Sequence, residues 1–454
     1  MAQTLAIIPD NESASCQVRC AIDLMQTAIL RTSPIAHDIL IPMAPYSLYL
    51  HIPFCRHRCA YCDFNTYAGL EGLVPDYVRA LCREIAYSVE STGERVEAHT
   101  VFFGGGTPSL LPIEALDSIL EVLGQAFSLD SDLELTLEAN PGTLDLDYLC
   151  ELHRLGVNRI SLGMQSANPE ELRLLERQHD YGDVIQAVIW ARKAGFENVN
   201  LDLIFGLPYQ SLESWQNNLE RAAGLKPEHL SLYALTLEHG TPMQHWVERG
   251  LLSEPDADLA ADMYEWAGVY LDSKGYQQYE ISNWARQDAN GQVMSCRHNL
   301  QYWRCLPYLG FGAGAHGYAA SVRTANVLSP AVYIERMLAQ RPSNFNLQLP
   351  ASNQHSEISH QQFPATPATA QAETIDRTTE MGEVMMMGLR LTDEGVLREA
   401  FHDRFGETLE AVYGSQIERL VGLGLLEWGG EDQDILRLTR QGRLLGNQVF
   451  VEFI

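Results

Sequence analysis

Short β-branched or aromatic runs alternate with longer amphipathic runs from residue 47 onward, and this alternation constrains the fold more than any other feature. Strands separated by helices of about ten residues or more form parallel βαβ units. The pattern therefore predicts an α/β fold with a partial parallel (β/α)6 TIM-like barrel or open curved sheet. The predicted strands are Leu48–Ile52, Thr100–Phe103, Leu133–Glu138, Arg159–Gly163, Val199–Phe205 and Leu230–Leu235, and the predicted helices are Tyr77–Ser91, Ile113–Phe127, Asp147–Leu155, Pro169–Arg177, Gly182–Lys193 and Leu212–Ala223.

Composition shifts divide the chain into five predicted segments. An N-terminal extension (1–44) includes Met43, a candidate initiator directly before the first strand. The core barrel (45–240) and a barrel extension (241–342) follow. Residues 343–375 are rich in Ser, Gln, Asn, Thr and Pro, which predicts a flexible linker. Residues 376–454 predict a mostly helical, winged-helix-like domain, with helices Thr378–Arg390, Leu397–Phe405, Thr408–Leu423 and Arg440–Phe450 and a hairpin at Leu425–Leu438.

The charge balance limits the classes of partner. The formal net charge is −28, and the predicted wing carries Glu427, Glu431, Asp432 and Asp434. Phosphate backbones are bound through clustered Lys and Arg, so we expect no nucleic-acid partner and interpret the last domain as a packing, lid or docking module. Nine cysteines in 454 residues and no visible secretory signal predict a cytoplasmic protein. Membrane-surface or homodimer association is left open.

Three cysteines, Cys55, Cys59 and Cys62, lie within eight residues just past the first predicted strand. Thiolates favour iron–sulfur clusters, zinc or copper(I). A cubane cluster normally takes four cysteine ligands, and three would leave one iron open to an exchangeable ligand. The spacing also fits a zinc knuckle completed by His51 or His57, or structural thiols. A disulfide framework is disfavoured, because the cysteines are sparse and odd in number.

A glycine run, Gly104-Gly105-Gly106-Thr107, follows the second predicted strand. Glycines at a strand end let the backbone approach a ligand closely, although a tight turn explains an isolated run equally well. In parallel α/β folds the carboxyl ends of the strands share one edge, where active sites form. The cysteine loop and the glycine loop would therefore face one site, an arrangement that a zinc knuckle does not need.

These two motifs resemble those of radical S-adenosylmethionine proteins, and more narrowly the branch related to oxygen-independent coproporphyrinogen III oxidase. The resemblance runs from about Ser47 to the C-terminus, apart from the low-complexity segment. It implies a radical SAM barrel and a [4Fe-4S] cluster held by Cys55, Cys59 and Cys62. It also implies S-adenosylmethionine chelated to the open iron. A reductant such as a flavodoxin or ferredoxin would then drive cleavage of the sulfonium to methionine and a 5′-deoxyadenosyl radical.

The resemblance also assigns S-adenosylmethionine contacts to residues near successive strand ends. The residue types suit this role, because carboxylates accept hydrogen bonds from ribose hydroxyls and Arg can hold a carboxylate at two points. No residue receives a catalytic role. The implied contacts are Tyr49, Tyr61, Gly105, Gly106, Thr107, Glu138, Gln165, Arg177 and Asp202.

Phe64 departs from the oxidase pattern, because the oxidases carry a fourth cysteine at this position. A loop ending Cys-Asp-Phe resembles the subgroup regarded as haem chaperones, which also shows a His-Asn-x-x-Tyr-Trp signature like that of residues 298–303. Haem iron takes His or Cys ligands. The resemblance therefore makes His298 the candidate haem ligand, with Cys296, Cys305 and His316 as further candidates.

Three functions are consistent with these features. The first is a haem chaperone that binds a cluster, S-adenosylmethionine and haem and transfers haem to an acceptor protein. The second is an oxygen-independent coproporphyrinogen III oxidase, disfavoured by Phe64. The third is a radical RNA-modifying enzyme, disfavoured by the acidic balance of the chain.

Overall fold

The computed structural model describes residues 44–92, 95–339 and 365–454. Almost all of the predicted N-terminal extension and residues 343–364 of the predicted linker lie outside these ranges. Six parallel strands, each connected to the next through at least one helix, form the centre of the fold. They are β1 (Tyr46–Ile52), β2 (Glu97–Gly105), β3 (Ser128–Ala139), β4 (Arg159–Gln165), β5 (Asn198–Phe205) and β6 (His229–Ala234), hydrogen-bonded in that order.

The helices between these strands pack one apolar face on the sheet. In the helix Ile113–Ala126, the buried residues are Leu116, Ile119, Leu123 and Ala126, which recur at the three- and four-residue spacing of one helical face. Parallel strands covered by helices are buried on both faces, and six of the seven residues of β4 are buried. The connecting helices are Val74–Thr92, Ile113–Ala126, Leu146–Arg154, Pro169–Leu174, Tyr181–Ala194 and Leu212–Gly224.

The predicted α/β alternation is confirmed, with differences at element ends. β3 begins at Ser128, whereas the predicted start is Leu133. The prediction missed the first residues of this strand because they are mostly polar and lack the hydrophobic pattern of a strand. The helix that begins at Pro169 ends at Leu174 rather than Arg177, since Glu176 adopts a left-handed φ of 56°. This earlier end brings Arg177 to the edge of the sheet where the site lies.

Six further strands extend the sheet to twelve. Asn283–Arg286 pairs antiparallel with β6, and Tyr308–Phe311 pairs parallel with β1 on the opposite side. The end of the predicted linker is part of the sheet: Thr369–Thr374 forms the edge strand beside Val322–Asn326. A short polar strand of this kind gives no alternating hydrophobic signal. The remaining strands are Tyr276–Glu280 and His316–Ala319, and the helices of this region are Pro242–Glu248, Ala257–Ser273, Arg297–Trp303 and Pro330–Leu338.

The C-terminal region is mostly helical and has its own apolar core, which includes Met385, Phe401 and Leu420. The predicted last helix is divided at Leu445, where the backbone leaves helical geometry. Within the described residues, no helix combines the length and apolar character needed to cross a bilayer. The helices are Arg377–Gly388, Arg398–Phe405, Leu409–Gly422, Arg440–Leu444 and Gly446–Phe450, and the strands are Val396–Leu397, Leu426–Gly429 and Ile435–Leu438.

Candidate functional site

The cysteine loop follows β1 at the carboxyl edge of the parallel strands. Its start, Phe54–Cys55, pairs with Tyr67–Ala68 in a short parallel ladder, so the chain returns to where the loop began. Inside the loop, Cys62 N–H donates to the Cys59 carbonyl at 3.2 Å. The thiols of Cys55, Cys59 and Cys62 are all free and partly exposed. The fold thus holds three unpaired thiols on one compact loop.

The glycine loop supports the cysteine loop directly. Gly106 N–H donates to the Ile52 carbonyl and Thr107 N–H donates to the Phe54 carbonyl, both at 2.8 Å. A Cβ atom at Gly106 would lie 2.6 Å from the Phe54 oxygen, so any side chain there would force the two loops apart. Gly105 adopts a φ of 109°, which strongly favours glycine. The glycines are therefore required by the approach of the cysteine loop, in addition to any ligand contact.

Each cysteine sulfur has a polar neighbour. Thr107 Oγ1 lies 3.7 Å from the sulfur of Cys55, Arg177 Nη1 lies 3.6 Å from that of Cys59, and Thr66 Oγ1 lies 3.9 Å from that of Cys62. Burial raises the pKa of the Cys62 thiol to about 11, so this thiol is neutral until a metal displaces its proton.

The alternative zinc ligand His51 is engaged elsewhere. Its Nδ1 accepts from the Tyr49 hydroxyl at 3.0 Å, and its Nε2 donates to the Asn65 carbonyl at 2.9 Å. His57, the other alternative, is exposed and lies 3.2 Å from Glu176. Among the described residues, no group of three or more His, Cys, Asp or Glu side chains surrounds a single ion position.

Arg177 connects the cysteine loop to the end of β4. Its Nη2 donates to the Gly163 carbonyl at 2.8 Å and to the Asn140 side-chain oxygen. Its Nε is buried and has no hydrogen-bond partner. A buried guanidinium donor without a partner is costly, so this atom is available to a bound acceptor. Asn140 escaped the sequence analysis, although it lies two residues past Glu138 at the end of β3.

Gln165 ends β4 in a strained conformation. Its φ is 62°, and the pairing register of β4 with β5 shifts between Leu162 and Gln165. An ideal Cβ at Gly163 would lie 3.0 Å from Arg177 Nη2 and 3.1 Å from Gln165 Nε2. The ends of both side chains therefore pack directly against this glycine. The irregularity turns Gln165 toward Arg177, as a functional bulge does.

A buried carboxylate, Glu171, fixes the segment behind Gln165. It accepts from Ser166 Oγ at 2.6 Å, Gln210 Nε2 at 3.1 Å, Asn218 Nδ2 at 2.6 Å and Ser214 Oγ at 2.6 Å. Sequence reasoning missed this role, because Glu171 lies in the first turn of a helix, where acidic residues are common.

Glu138 and Asp202 form an acidic pair inside the strand ends. Glu138 Oε2 accepts from the Gly105 N–H at 3.1 Å, and Asp202 accepts from Ser161 and Asn200 at 3.0 and 2.8 Å. Burial and the charge of Asp202 raise the pKa of Glu138 to about 8. Burial also raises the pKa of Asp202. Near neutral pH the pair therefore retains a proton that can be donated to a polar ligand.

Tyrosines surround these polar groups. Burial, together with Glu138, raises the pKa of Tyr49, so its hydroxyl stays protonated. Tyr61 lies in the cysteine loop near Arg177, and burial raises its pKa as well. Tyr233, near the end of β6, was missed by the sequence analysis because a strand-end tyrosine has an ordinary structural explanation. Although the residue is 44% exposed, burial of its hydroxyl, followed by the charge of Asp202, raises the pKa of the tyrosine.

A cavity of about 270 Å³ adjoins the cysteine loop. Cys59, Thr107, Asn140, Arg177 and His179 are among the residues that line it. The structure thus brings thiol, hydroxyl, amide and guanidinium groups from four separate parts of the chain to one opening.

Comparison with known proteins identifies two family models in the chain. A model of the Radical SAM superfamily matches residues 49–222, and a model of the HemN C-terminal domain matches residues 375–445. The chain is 36% identical over 411 residues to the heme chaperone HemW of Bacillus subtilis (strain 168), covering 90% of this chain and 99% of the relative. It is 42% identical over 280 residues to the heme chaperone HemW of Escherichia coli (strain K12), covering 61% and 71% respectively.

The chain belongs to the HemW family of haem chaperones. In addition, the solved structure of coproporphyrinogen III oxidase (HemN) from Escherichia coli, a radical SAM enzyme, matches with a TM-score of 0.71 at 23% identity, covering 91% of this chain and 90% of that chain. At this identity the likeness concerns the fold alone. It agrees with the predicted α/β architecture and the helical C-terminal region.

The His-Asn-x-x-Tyr-Trp signature of this HemW-family chain lies on the helix Arg297–Trp303. His298 is buried, and both of its ring nitrogens are occupied: Nδ1 lies 2.8 Å from Thr100 Oγ1, and Nε2 lies 2.9 Å from the Tyr302 hydroxyl. The ring also stacks on Phe102 at 5.0 Å. In this conformation His298 therefore has no ring nitrogen available to iron.

The other candidate haem ligands have different surroundings. Cys296 is buried, its sulfur lies 3.5 Å from Glu134, and burial raises its pKa to about 12. Cys305 contacts the Glu383 carbonyl of the C-terminal region at 3.6 Å, and burial also raises its pKa to about 12. His316 begins a strand beside Val322–Asn326. The structure does not bring these residues together with His298 at one metal position.

Proposed function

We propose that the chain is a haem chaperone that holds a [4Fe-4S] cluster, S-adenosylmethionine and haem and transfers haem to an acceptor protein. The joining of the cysteine and glycine loops is the observation that carries this proposal, because it puts three free thiols beside strand ends that carry polar side chains. Relatives named heme chaperones align along nearly their whole length, which supports the haem part.

The three thiols fit the cluster. Cys55, Cys59 and Cys62 can each give one thiolate, and Thr107 and Arg177 lie within reach of two of the sulfurs. A donor beside a thiolate stabilises its negative charge. With three protein ligands, one iron is left for S-adenosylmethionine, and the unpartnered Nε of Arg177 gives an anionic group beside Cys59 a further donor.

The strand ends fit the polar groups of S-adenosylmethionine. Glu138 and Asp202 would accept hydrogen bonds from hydroxyls or from an ammonium group, and Arg177 and Gln165 would donate to a carboxylate. When bound, the cluster and S-adenosylmethionine supply one-electron reductive cleavage of the sulfonium. Residues at the sheet edge would orient the bound nucleotide through these hydrogen bonds.

We propose that haem binds at His298, which requires a change in the hydrogen bonding of its ring. Burial lowers the pKa of His298 to about 3, so its imidazole is neutral, which is the form that ligates iron. The hydrogen bond between Nε2 and Tyr302 must break before Nε2 can reach a metal. Phe64, in the position of the fourth oxidase cysteine, supports haem transfer over porphyrinogen oxidation.

Anaerobic reconstitution tests the function. The full chain is loaded with iron, sulfide and S-adenosylmethionine, reduced with dithionite, and given either haem or coproporphyrinogen III. We expect a stoichiometric haem spectrum, transfer of haem to apo-myoglobin as a generic acceptor, and no protoporphyrinogen. Formation of protoporphyrinogen accompanied by a matching amount of 5′-deoxyadenosine would instead establish the oxidase function.

A further inference from the structure

Paired charges join the C-terminal region (residues 376–454) to the twelve-stranded sheet and its helices. Arg323, on the sheet, donates to both carboxylate oxygens of Glu383 at 2.7 Å, and both side chains are largely buried. Arg304, directly after the helix Arg297–Trp303, donates to both oxygens of Glu394 at 2.8 and 2.7 Å. This second pair is more exposed. We call the pairs Arg323–Glu383 and Arg304–Glu394 the latch.

Apolar contacts contribute little to the same interface. The apolar core of the sheet and that of the C-terminal region are separate clusters, and among the described residues Ile281 alone from the rest of the chain packs against the C-terminal core. Relative motion is expected between parts of a chain whose interface is polar. The connection between the strand Thr369–Thr374 and the helix Arg377–Gly388 is two residues long, so residues 375–376 can serve as a hinge.

The closed interface also buries polar atoms without satisfying them. Arg390 lies over the Trp303 ring, 4.4 Å from its centroid, and Arg443 donates from Nη1 to Gln278 at 2.9 Å. Burying a donor without a partner is costly, and water would satisfy such a group once the two parts separated. The latch therefore favours the closed arrangement, while the unsatisfied donors favour separation. Within the described residues, the buried side-chain nitrogens without a hydrogen-bond partner at this interface are Trp303 Nε1, Arg323 Nε, Arg390 Nε and Arg443 Nε.

The C-terminal region holds the segment that follows the helix Arg297–Trp303. Cys305 lies two residues past the end of that helix, and its Sγ is 3.6 Å from the Glu383 carbonyl. Arg404 donates to the Cys305 carbonyl at 3.1 Å. Cys305 has a left-handed φ of 49°, a conformation that needs support from its surroundings. Separation of the two parts would remove this support and free the end of the helix.

We propose that the C-terminal region is a reversible cover, closed by the latch and hinged at residues 375–376. Opening separates Cys305 from the C-terminal region and frees the end of the helix Arg297–Trp303, and closing restores both contacts, with no covalent bond made or broken. The opening follows from the interface alone. Its use rests on the proposed function, because a freed helix would let Tyr302 release Nε2 of His298.

Alkylation of the native cysteines by iodoacetamide tests the cover. The full chain is labelled without haem, and each cysteine peptide is followed by mass spectrometry. Burial raises the pKa of Cys305 to about 12, so opening should increase its reactive thiolate. Cys296 has the same raised pKa but is fully buried beside Glu134, away from the cover, so its labelling reports global unfolding. Cys150 is exposed and gives the unrestricted rate.

The unsubstituted chain should label Cys305 faster than Cys296 and slower than Cys150. High salt screens the latch and should increase the rate at Cys305 about twofold or more, with the rate at Cys296 unchanged.

Substitutions in the latch should favour the open form. Arg323→Gln breaks the buried pair, so we expect labelling of Cys305 to increase about tenfold with that of Cys296 unchanged. Arg304→Glu and Glu394→Arg should each increase labelling of Cys305 by a smaller factor, and the two together should restore the original rate. Arg83→Gln, at an exposed position of the helix Val74–Thr92, is the control and should change neither rate.

Equal labelling rates at Cys305 and Cys296 in the unsubstituted chain and in all latch variants would refute the cover. If Arg323→Gln fails to fold, the exchange of Arg304 and Glu394 and the salt dependence of the unsubstituted chain decide. Failure of the exchange to restore the original rate, together with a rate that is independent of salt, would refute the latch. A chain whose Cys305 reports opening but which binds no haem would contradict the proposed function and leave the cover established.

Discussion

Arg177 Nη1 lies 3.6 Å from the sulfur of Cys59, although 118 positions separate the two residues in the chain. The contact joins the turn after β4 to the cysteine loop after β1. A guanidinium beside a thiolate forms a charge-assisted hydrogen bond. Arg177 thus links the proposed cluster ligands to the strand ends proposed to bind S-adenosylmethionine.

Arg177→Gln should weaken retention of the cluster. Loss of a hydrogen bond to a charged group costs roughly 1.5–3 kcal/mol, which corresponds to about tenfold or more in an equilibrium constant. We therefore expect faster loss of iron to a chelator, followed by absorbance. Arg173→Gln, at an exposed position four residues earlier, should behave as the unsubstituted chain does. Equal iron loss in the two variants would contradict this role.

Cys59→Ala should abolish the cluster and preserve the fold. The loop is held by backbone hydrogen bonds from Gly106 and Thr107, and neither involves a cysteine side chain. Iron and sulfide analysis should show no cluster, while circular dichroism should be unchanged. Cys150→Ala, at an exposed cysteine, is the control. A Cys59→Ala chain that kept four irons would show that the ligand set is wrong.

Glu171→Gln should destabilise the chain and weaken binding of S-adenosylmethionine together. The amide replaces a carboxylate oxygen with a donor in a site already filled by four donors, at a cost of about 1–3 kcal/mol. Ser166 would shift, and Gln165 with it. Urea unfolding and equilibrium binding measure the two effects. Glu170→Gln, at the exposed neighbouring position, should change neither the stability of the chain nor the binding of S-adenosylmethionine.

Glu138 should make the stability of the metal-free chain depend on pH. Its pKa is raised from 4.5 to about 8, so between these values the folded state holds a proton that the unfolded state has released. Stability therefore falls as pH rises through this window, by on the order of 1–3 kcal/mol after allowance for partial exposure. Glu138→Gln should flatten the profile of melting temperature against pH. Glu97→Gln, an exposed carboxylate in β2, should leave the profile unchanged.

Tyr302→Phe should strengthen haem binding if His298 ligates iron. The substitution removes the hydroxyl that occupies His298 Nε2 and keeps the ring in place. Haem titration followed at the Soret band should give a lower dissociation constant, and His298→Gln should lose the ligand-dependent shift of the band. If both variants bind haem as the unsubstituted chain does, the axial ligand is another residue.

Local sequence patterns account for the fold but only for part of the site. Helix and strand periodicity indicated the six βαβ units. The spacing of the cysteines indicated a soft-metal site, and its assignment to a cluster needed the glycine loop and the family resemblance. Asn140, Glu171 and Tyr233 could not be found in this way, because their roles depend on partners brought close by the sheet. Thr369–Thr374 escaped for a different reason, since a polar edge strand acquires its structure from pairing with Val322–Asn326.

The support that the glycine loop gives to the cysteine loop has a consequence for maturation. Many small metal sites fold only when the metal arrives, because their ligands are disordered without it. Here Gly106 and Thr107 anchor the first part of the loop, and Met243 N–H donates to the Ala60 carbonyl at 3.0 Å, so these contacts use backbone atoms and no cysteine side chain. The backbone path of the loop therefore does not depend on its cysteine side chains, which stay free to hold a cluster. Iron starvation should leave a folded, empty receptor that can be filled when iron returns.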